Sequence, residues 1–350
     1  RYDGPQGHLQ FRKSLAAQLA QRFDWPISEE NIALTAGSQT SFFMLFNAFA
    51  GPFDGGQNRK VMLPLAPEYI GYADVGLSDD MLVSKPGAIE VVSEHRFKYR
   101  LDFDATDIEQ DVGLVCISRP TNPTGNVLTN HELTHLLTVT AEARTPLIID
   151  GAYGLPFPNI VFSDAVPMWQ EHVILCLSLS KLGLPGLRTG IVIADKQTIQ
   201  MLTSMNAILS LANNSLGAEM VEPMLASGEV FELSQDVIKP FYAQKSQQAK
   251  QWLLDSFDGL DYYVHESEGA IFLWLWFPGL PITDMVLYQR LKSRGVLVLP
   301  GSYFFPNRDP QVRHQHECIR LSYAQEAKDV QQGIAIIADE VRNAFEHDAD

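Results

Sequence analysis

Between Ser178 and Gly190 the sequence reads SLSKLGLPGLRTG, directly after the apolar run VILCL. A buried strand that ends in two serines and a lysine raises a chemical question. An unpaired ammonium in low dielectric either loses its proton or costs several kcal/mol, so Lys181 implies a chemical use. Three other apolar runs also end in polar residues. NIALT leads into Ala36-Gly37-Ser38-Gln39 and a helical pattern, which sets backbone N–H groups and a hydroxyl around an anion seat. VGLVCIS runs into Arg119-Pro120-Thr121-Asn122-Pro123-Thr124-Gly125, where two prolines hold an asparagine amide in a rigid turn. PLIID closes on Asp150, with Tyr153 three residues later. A carboxylate approached through apolar residues needs a cation or several donors to stay ionised.

Taken singly, each feature has a plain structural reading: a helix N-cap at Ser38 or Asp150, a proline turn at Asn122. On successive strand ends they supply an amine, a carboxylate, phosphate donors with an arginine, and an amide with a phenol. Pyridoxal phosphate requires all of these. Lys181 would bond its aldehyde carbon, and Ser38, Gln39, Ser178 and Arg188 would hold its phosphate. Asp150 would keep the pyridine nitrogen protonated, while Asn122 and Tyr153 would hydrogen-bond the phenolic oxygen.

The elements that must position these residues show in the hydrophobic pattern. From about residue 31 to 195, short runs such as VMLPL, VGLVCIS, PLIID, VILCLSLS and TGIVIA alternate with helical patterns. Runs apolar on both faces predict a mostly parallel sheet covered by helices on both sides. Thr129 with Glu132 three residues on is a capping box. Beyond Pro240, the helical FYAQKSQQAKQWLLDSF, then AIFLWLWF and GVLVLPG, predict a smaller α+β unit. Val330, Ile334, Ile337, Val341 and Phe345 give its last helix an apolar stripe. The expected division is a large domain over 1–235 and a small one over 236–350, packed closely because no Gly/Ser linker separates them. Trp274 and Trp276, alternating with leucines, are expected on a two-faced strand.

With 26 basic against 42 acidic residues, the net charge of −16 disfavours a nucleic-acid partner. Cys116, Cys176 and Cys318 are odd in number and set in apolar runs, as suits reduced thiols of a cytoplasmic protein. No apolar run approaches the length of about 18 residues that suggests a membrane span. The opening RYDGPQG lacks a methionine, which implies a fragment whose targeting signals would lie elsewhere. His314, His316 and Cys318 would share one face of a strand. With no further ligand following at a suitable spacing and Arg320 alongside, no metal site is expected. Arg119 is expected in a surface or subunit ion pair.

Together PTNPTG around Asn122, DGAY from Asp150, and SLSK followed by GLPGLR resemble the fold-type-I, class I/II aminotransferases over essentially the whole chain. The resemblance implies a large domain with a mostly parallel seven-stranded sheet and a smaller α+β C-terminal domain. By motif, PEY makes Tyr69 the ring stacked on the cofactor, and IRLSY makes Arg320 the arginine for the substrate carboxylate, near Asn122. YDGPQG resembles the segment whose tyrosine, here Tyr2, reaches the partner subunit's cofactor phosphate, so a homodimer is implied. Two departures stand out. The spacing from Lys181 to Arg188 is one residue shorter than in the commoner motif, and the N-terminal arm that closes over substrate is absent. The implied reaction is amino-group transfer between amino acids and 2-oxo acids. No arginine besides Arg320 is placed by motif against a substrate side chain, so small aliphatic substrates such as alanine and valine are expected. The same residues would also serve a β-elimination or the effector-binding domain of a transcription regulator.

Overall fold

A computed structural model describes residues 3–347; Tyr2 lies outside the described residues. The strands follow in order: β1 (Ile32–Thr35), β2 (Gly51–Pro52), β3 (Asn58–Ala66), β4 (Leu82–Pro86), β5 (Ala88–Ser93), β6 (Arg96–Arg100) and β7 (Val112–Ser118). They continue as β8 (Leu147–Asp150), β9 (Val173–Ser178), β10 (Gly190–Ile193), β11 (Tyr263–His265), β12 (Phe272–Trp276), β13 (Leu299–Pro300) and β14 (Cys318–Ser322). The helices are α1 (Leu9–Phe23), α2 (Ser38–Phe49), α3 (Asn130–Ala143), α4 (Lys196–Leu209), α5 (Leu216–Ser227), α6 (Glu229–Leu233), α7 (Lys239–Ser256), α8 (Asp284–Ser293) and α9 (Ala327–His347).

Every apolar run predicted as a strand between residues 31 and 195 forms one, and together they make an eight-stranded sheet in the order β1-β10-β9-β8-β7-β3-β2, with β4 also on β3. The expected seven strands gain the two-residue β2, too short to leave a hydrophobic pattern. Pairings β3·β4, β3·β7, β7·β8 and β8·β9 are parallel, whereas β10 runs against both of its neighbours. The strands are apolar on both faces because both are covered. Ile149, Leu175 and Ile191 pack toward α1, α3 and α5, while Ile148, Ile174 and Val192 pack toward α2 and α4. Cys116, Cys176 and Cys318 are buried and unpaired.

A second sheet has the order β13-β14-β12-β11-β6-β5. Leu273 and Leu275 of β12 face a core built with α7, α8 and α9, and Trp274 points the other way into the core of the large sheet. The stripe on α9 is buried at Val330, Ile334, Ile337 and Val341, as its spacing requires. The division at residues 235 and 236 falls inside a π-helical turn, Ser234–Ile238, in a helical run from α6 to α7. It also leaves out the β5–β6 hairpin, which crosses from the N-terminal half to pair in parallel with β11. GVLVLPG contributes only the short β13.

Candidate active site

Four parallel-running strands deliver the polar residues to one edge of the large sheet. Register aligns Thr35 with Gly190 and Gly190 with Ser178, while Ser118 aligns with Asp150. The residues just beyond these positions therefore converge. Ser38, Gln39, Tyr69, Asn122, Asp150, Tyr153, Ser178, Lys181, Arg188 and Arg320, all predicted from sequence, line a single cleft of about 440 Å³.

At one end stands an anion cradle. Ser38 opens α2 and donates to the Leu177 carbonyl at 3.1 Å. The Ser178 hydroxyl accepts from the Ser180 amide at 3.1 Å, and Arg188 Nη1 reaches Ser180 Oγ at 3.3 Å. Gly37, at φ 93°, has the left-handed backbone that favours glycine, and a Cβ there would lie 2.2 Å from Arg188 Nη2, so the guanidinium would have to shift. Arg188 itself takes φ 45° and remains in the cleft despite the shortened spacing from Lys181.

Gln39 donates to the Gly71 carbonyl at 3.0 Å and accepts from the Tyr69 hydroxyl at 3.3 Å, which fixes the Tyr69 ring on the cleft wall. Gly71 makes room for it, since a Cβ would come 2.4 Å from that ring. Lys181 Nζ lies 5.1 Å from the centre of the Tyr153 ring. Burial, then Arg320 and Arg188, lower the pKa of the Lys181 amine, favouring the neutral nucleophilic form.

Asp150, at the end of β8, is buried and accepts from the Ala152 amide at 2.9 Å and the Tyr72 hydroxyl at 2.8 Å. Burial pushes its carboxyl up to about 6, although both hydrogen bonds pull the other way. A cation in the cleft would hold it ionised. Arg320, on β14, donates to Asn122 Oδ1 at 2.7 Å and stacks 4.1 Å from the Phe272 ring centre. Its Nε is buried without a hydrogen-bond partner, and among the described residues no carboxylate pairs with it. Burial lowers its pKa to about 10.

Sequence reasoning missed several neighbours. Phe42, Ser118, Pro120, Ala152 and Ile271 line the cleft, as does Ser180, read from sequence at the strand end but given no role there, and of the FLWLWF aromatics only Phe272 does so. Trp274 and Trp276 instead donate to Tyr99 and Glu317, at 3.0 and 2.9 Å. Arg119 makes no surface ion pair. It is buried and donates to the Leu128 and Val166 carbonyls and Asn130 Oδ1, at 2.8, 2.8 and 2.9 Å, so it ties down the loop carrying Asn122. His314 and His316 lie in a 3-10 turn rather than a strand and serve different partners, Tyr99 and Asp284. Among the described residues no group of three or more metal-ligating side chains gathers.

The sheet order, the second sheet and the lysine–aspartate–arginine cleft define the fold-type-I aminotransferase architecture. The family model for aminotransferase class I and II matches residues 1–337, and the chain belongs to that family. It is 48% identical over 344 residues to the valine–pyruvate aminotransferase of Escherichia coli K12, covering 98% of this chain and 82% of that protein. The solved valine-pyruvate aminotransferase AvtA of Salmonella typhimurium LT2 superposes with a TM-score of 0.93 at 48% identity, covering 99% and 87% of the two chains. A Thermus thermophilus aspartate aminotransferase mutant shares the fold alone, with TM-score 0.80 at 18% identity over 97% and 88%. No described helix is long and apolar enough to cross a membrane.

Proposed function

We propose that the protein binds pyridoxal phosphate in this cleft and transfers an amino group between L-valine and pyruvate, giving 3-methyl-2-oxobutanoate and L-alanine. The observation that carries this reading is Arg320: a half-buried guanidinium whose Nε is buried and orphaned, with no acidic partner among the described residues, in the same cleft as a depressed-pKa lysine and a buried carboxylate. The family uses pyridoxal phosphate, and the residues present suit it. The cradle of Ser38, Ser178, Ser180 and Arg188 suits a phosphate, Asp150 a protonated ring nitrogen, Tyr69 a ring face, and Asn122 with Tyr153 a phenolic oxygen.

When bound, pyridoxal phosphate supplies an aldehyde for the amino group and a protonated ring that draws electrons from the substrate Cα. Lys181 would supply the amine that holds the cofactor and, when free, would take the proton from the substrate Cα as general base and deliver it as general acid to the former aldehyde carbon. Arg320 holds the substrate carboxylate with paired N–H donors. Asp150 holds the proton on the ring nitrogen.

Substrate size follows from the walls. The cations lining the cleft are Lys181, Arg188 and Arg320, each already given a task, so a second substrate carboxylate would be buried unpaired. Phe42, Tyr69, Tyr153, Ile271 and Phe272 suit an aliphatic side chain. The names of the two relatives at 48% identity support valine and pyruvate. A homodimer is supported by exposed Ile208 and Leu209 at the end of α4, Leu211 in the loop after it, and Leu216 and Met220 on α5. Cytoplasmic residence is consistent with three unpaired cysteines. The deciding experiment offers alanine, valine, aspartate and glutamate separately to the loaded enzyme and follows conversion of the cofactor to its amine form. Faster reaction of aspartate or glutamate would refute the aliphatic assignment. Release of pyruvate and ammonia without a new amino acid would replace transfer with elimination.

A further inference from the structure

Linked to Asp150 through Ser118 and Tyr72 is a second buried carboxyl group with no part in the scheme above. Glu68 directly precedes the stacking Tyr69 and is 1% exposed. Its Oε1 accepts from the Ser118 amide at 2.9 Å and its Oε2 from the Tyr69 amide at 3.1 Å. Oε2 also lies 2.5 Å from Ser118 Oγ. Ser118 Oγ is 3.0 Å from the Tyr72 hydroxyl, which reaches Asp150 Oδ2 at 2.8 Å. Four side chains thus form an unbroken chain, Glu68–Ser118–Tyr72–Asp150.

The protons in it can be counted. Three oxygen–oxygen contacts need three protons, and the two hydroxyls bring only two. The third must sit on one of the carboxyl groups. If Glu68 carries it, Glu68 donates to Ser118, Ser118 to Tyr72, and Tyr72 to an ionised Asp150. If Asp150 carries it, every bond reverses. Passing between these states moves three protons by one oxygen each, with a net transfer of one proton from Glu68 to Asp150 and no other reactant.

We propose that Glu68 is a positioning residue that holds this third proton, so that Ser118 and Tyr72 are oriented to donate toward Asp150 and keep it anionic for the ring nitrogen. The inference rests on the proposed cofactor role of Asp150. Burial pushes the Glu68 carboxyl up to about 8 and Asp150 only to about 6, which favours this orientation. The remaining neighbours do not compete for the proton. The Cys116 thiol beside Tyr72 stays protonated through burial, and Tyr69 contributes its backbone amide to Glu68.

Two measurements test it. In infrared difference spectra at pH 7 between the wild type and Glu68→Gln, the wild type should show the carbonyl band of one protonated carboxyl group that the variant lacks. Exposed carboxyl groups are ionised at that pH and leave the region clear. The second measurement compares the affinity of cofactor-free protein for pyridoxal phosphate and for an analogue with carbon in place of the ring nitrogen. Glu68→Ala, which removes the donor that orients Ser118 and Tyr72, should reduce the preference for the true cofactor about tenfold. Absence of the carbonyl band overturns the proposal, as does equal weakening of both ligands by Glu68→Ala. If the wild type fails to distinguish the two ligands, the cofactor role of Asp150 is wrong, and the infrared comparison, in which a carbonyl band retained by Glu68→Gln overturns the proposal, still tests whether Glu68 holds the proton.

Discussion

Arg320→Met should make the cofactor-free protein more stable while removing its response to carboxylates. Burial lowers the pKa of Arg320 from the ordinary guanidinium value to about 10. At 1.36 kcal/mol per unit this is about 3 kcal/mol of unfavourable charge burial. The folded pKa lies below the unfolded one, so the native state holds the proton less tightly. The penalty is therefore present at every pH below about 10 and is relieved only as the pH rises past that value. Against this stand the hydrogen bond to Asn122, worth about 1 kcal/mol, and the stacking on Phe272, worth about 0.5–1 kcal/mol. Methionine fills the space flexibly and carries no charge. The net expectation is a gain of about 1 kcal/mol, opposite in sign to the average substitution.

The counterpart is ligand linkage. The carboxylate of 3-methylbutanoate, which has valine's skeleton but no amine to react, should pair with the half-buried guanidinium. At about 100 times its Kd it should stabilise the wild type by about 2.7 kcal/mol and leave Arg320→Met unchanged. Urea unfolding midpoints at pH 8, with and without the ligand, give both quantities. A variant less stable than the wild type by more than about 1 kcal/mol, or one that keeps the ligand shift, would refute the picture of an arginine held in reserve for a carboxylate.

Lys181→Ala should lose turnover together with borohydride-dependent attachment of the cofactor; a tryptic map still showing a labelled lysine would place the attachment elsewhere. Asp150→Asn should fold normally yet lose at least about 100-fold in rate, roughly 3 kcal/mol of transition-state stabilisation, with near-normal turnover as the contrary result. Because the folded carboxyl is raised to about 6, cofactor affinity of the wild type should weaken as the pH falls through that value. Asp150→Asn should flatten that dependence, leaving only the part due to the ligand's own phosphate. Gly37→Ala, which forces a Cβ against Arg188 at φ 93°, should weaken pyridoxal phosphate about tenfold or more while barely changing pyridoxal, measured by fluorescence titration; equal loss for both would show a general folding defect.

Much of this architecture could be read from the chain because both faces of the large sheet are covered, which makes its strands continuous apolar runs bounded by polar ends. The β5–β6 hairpin escaped because Ile89, Val91 and Val92 are exposed and its parallel partner, β11, lies more than 160 residues along the chain. Lys181 and Asp150 could be read because charge at the end of an apolar strand is anomalous in itself. Glu68 is as buried as Asp150, but it sits between a proline and a tyrosine at a strand exit, where a glutamate passes for a surface residue. Arg119 was misread for a related reason: two of its three acceptors are backbone carbonyls, which every residue has and no pattern announces.

The reversed strand β10 explains how the cation set is assembled. A parallel sheet delivers residues to its active edge only at strand C-termini, and each further parallel strand needs a crossover connection. Running β10 the other way lets the chain leave β9 at Ser178, turn through two 3-10 segments, and re-enter the sheet at Gly190 on the same edge. Lys181 and Arg188 thereby occupy one tight connection, in which Arg188 helps to lower the proton affinity of Lys181. The same register brings Gly190 within 2.8 Å, measured from a virtual Cβ, of the Ser38 amide at the start of α2. A side chain at Gly190 would wedge the two halves of the anion cradle apart. A single antiparallel strand thus brings the amine, the guanidinium and the helix start to one place, and the glycines at 37 and 190 are the condition for their fitting there.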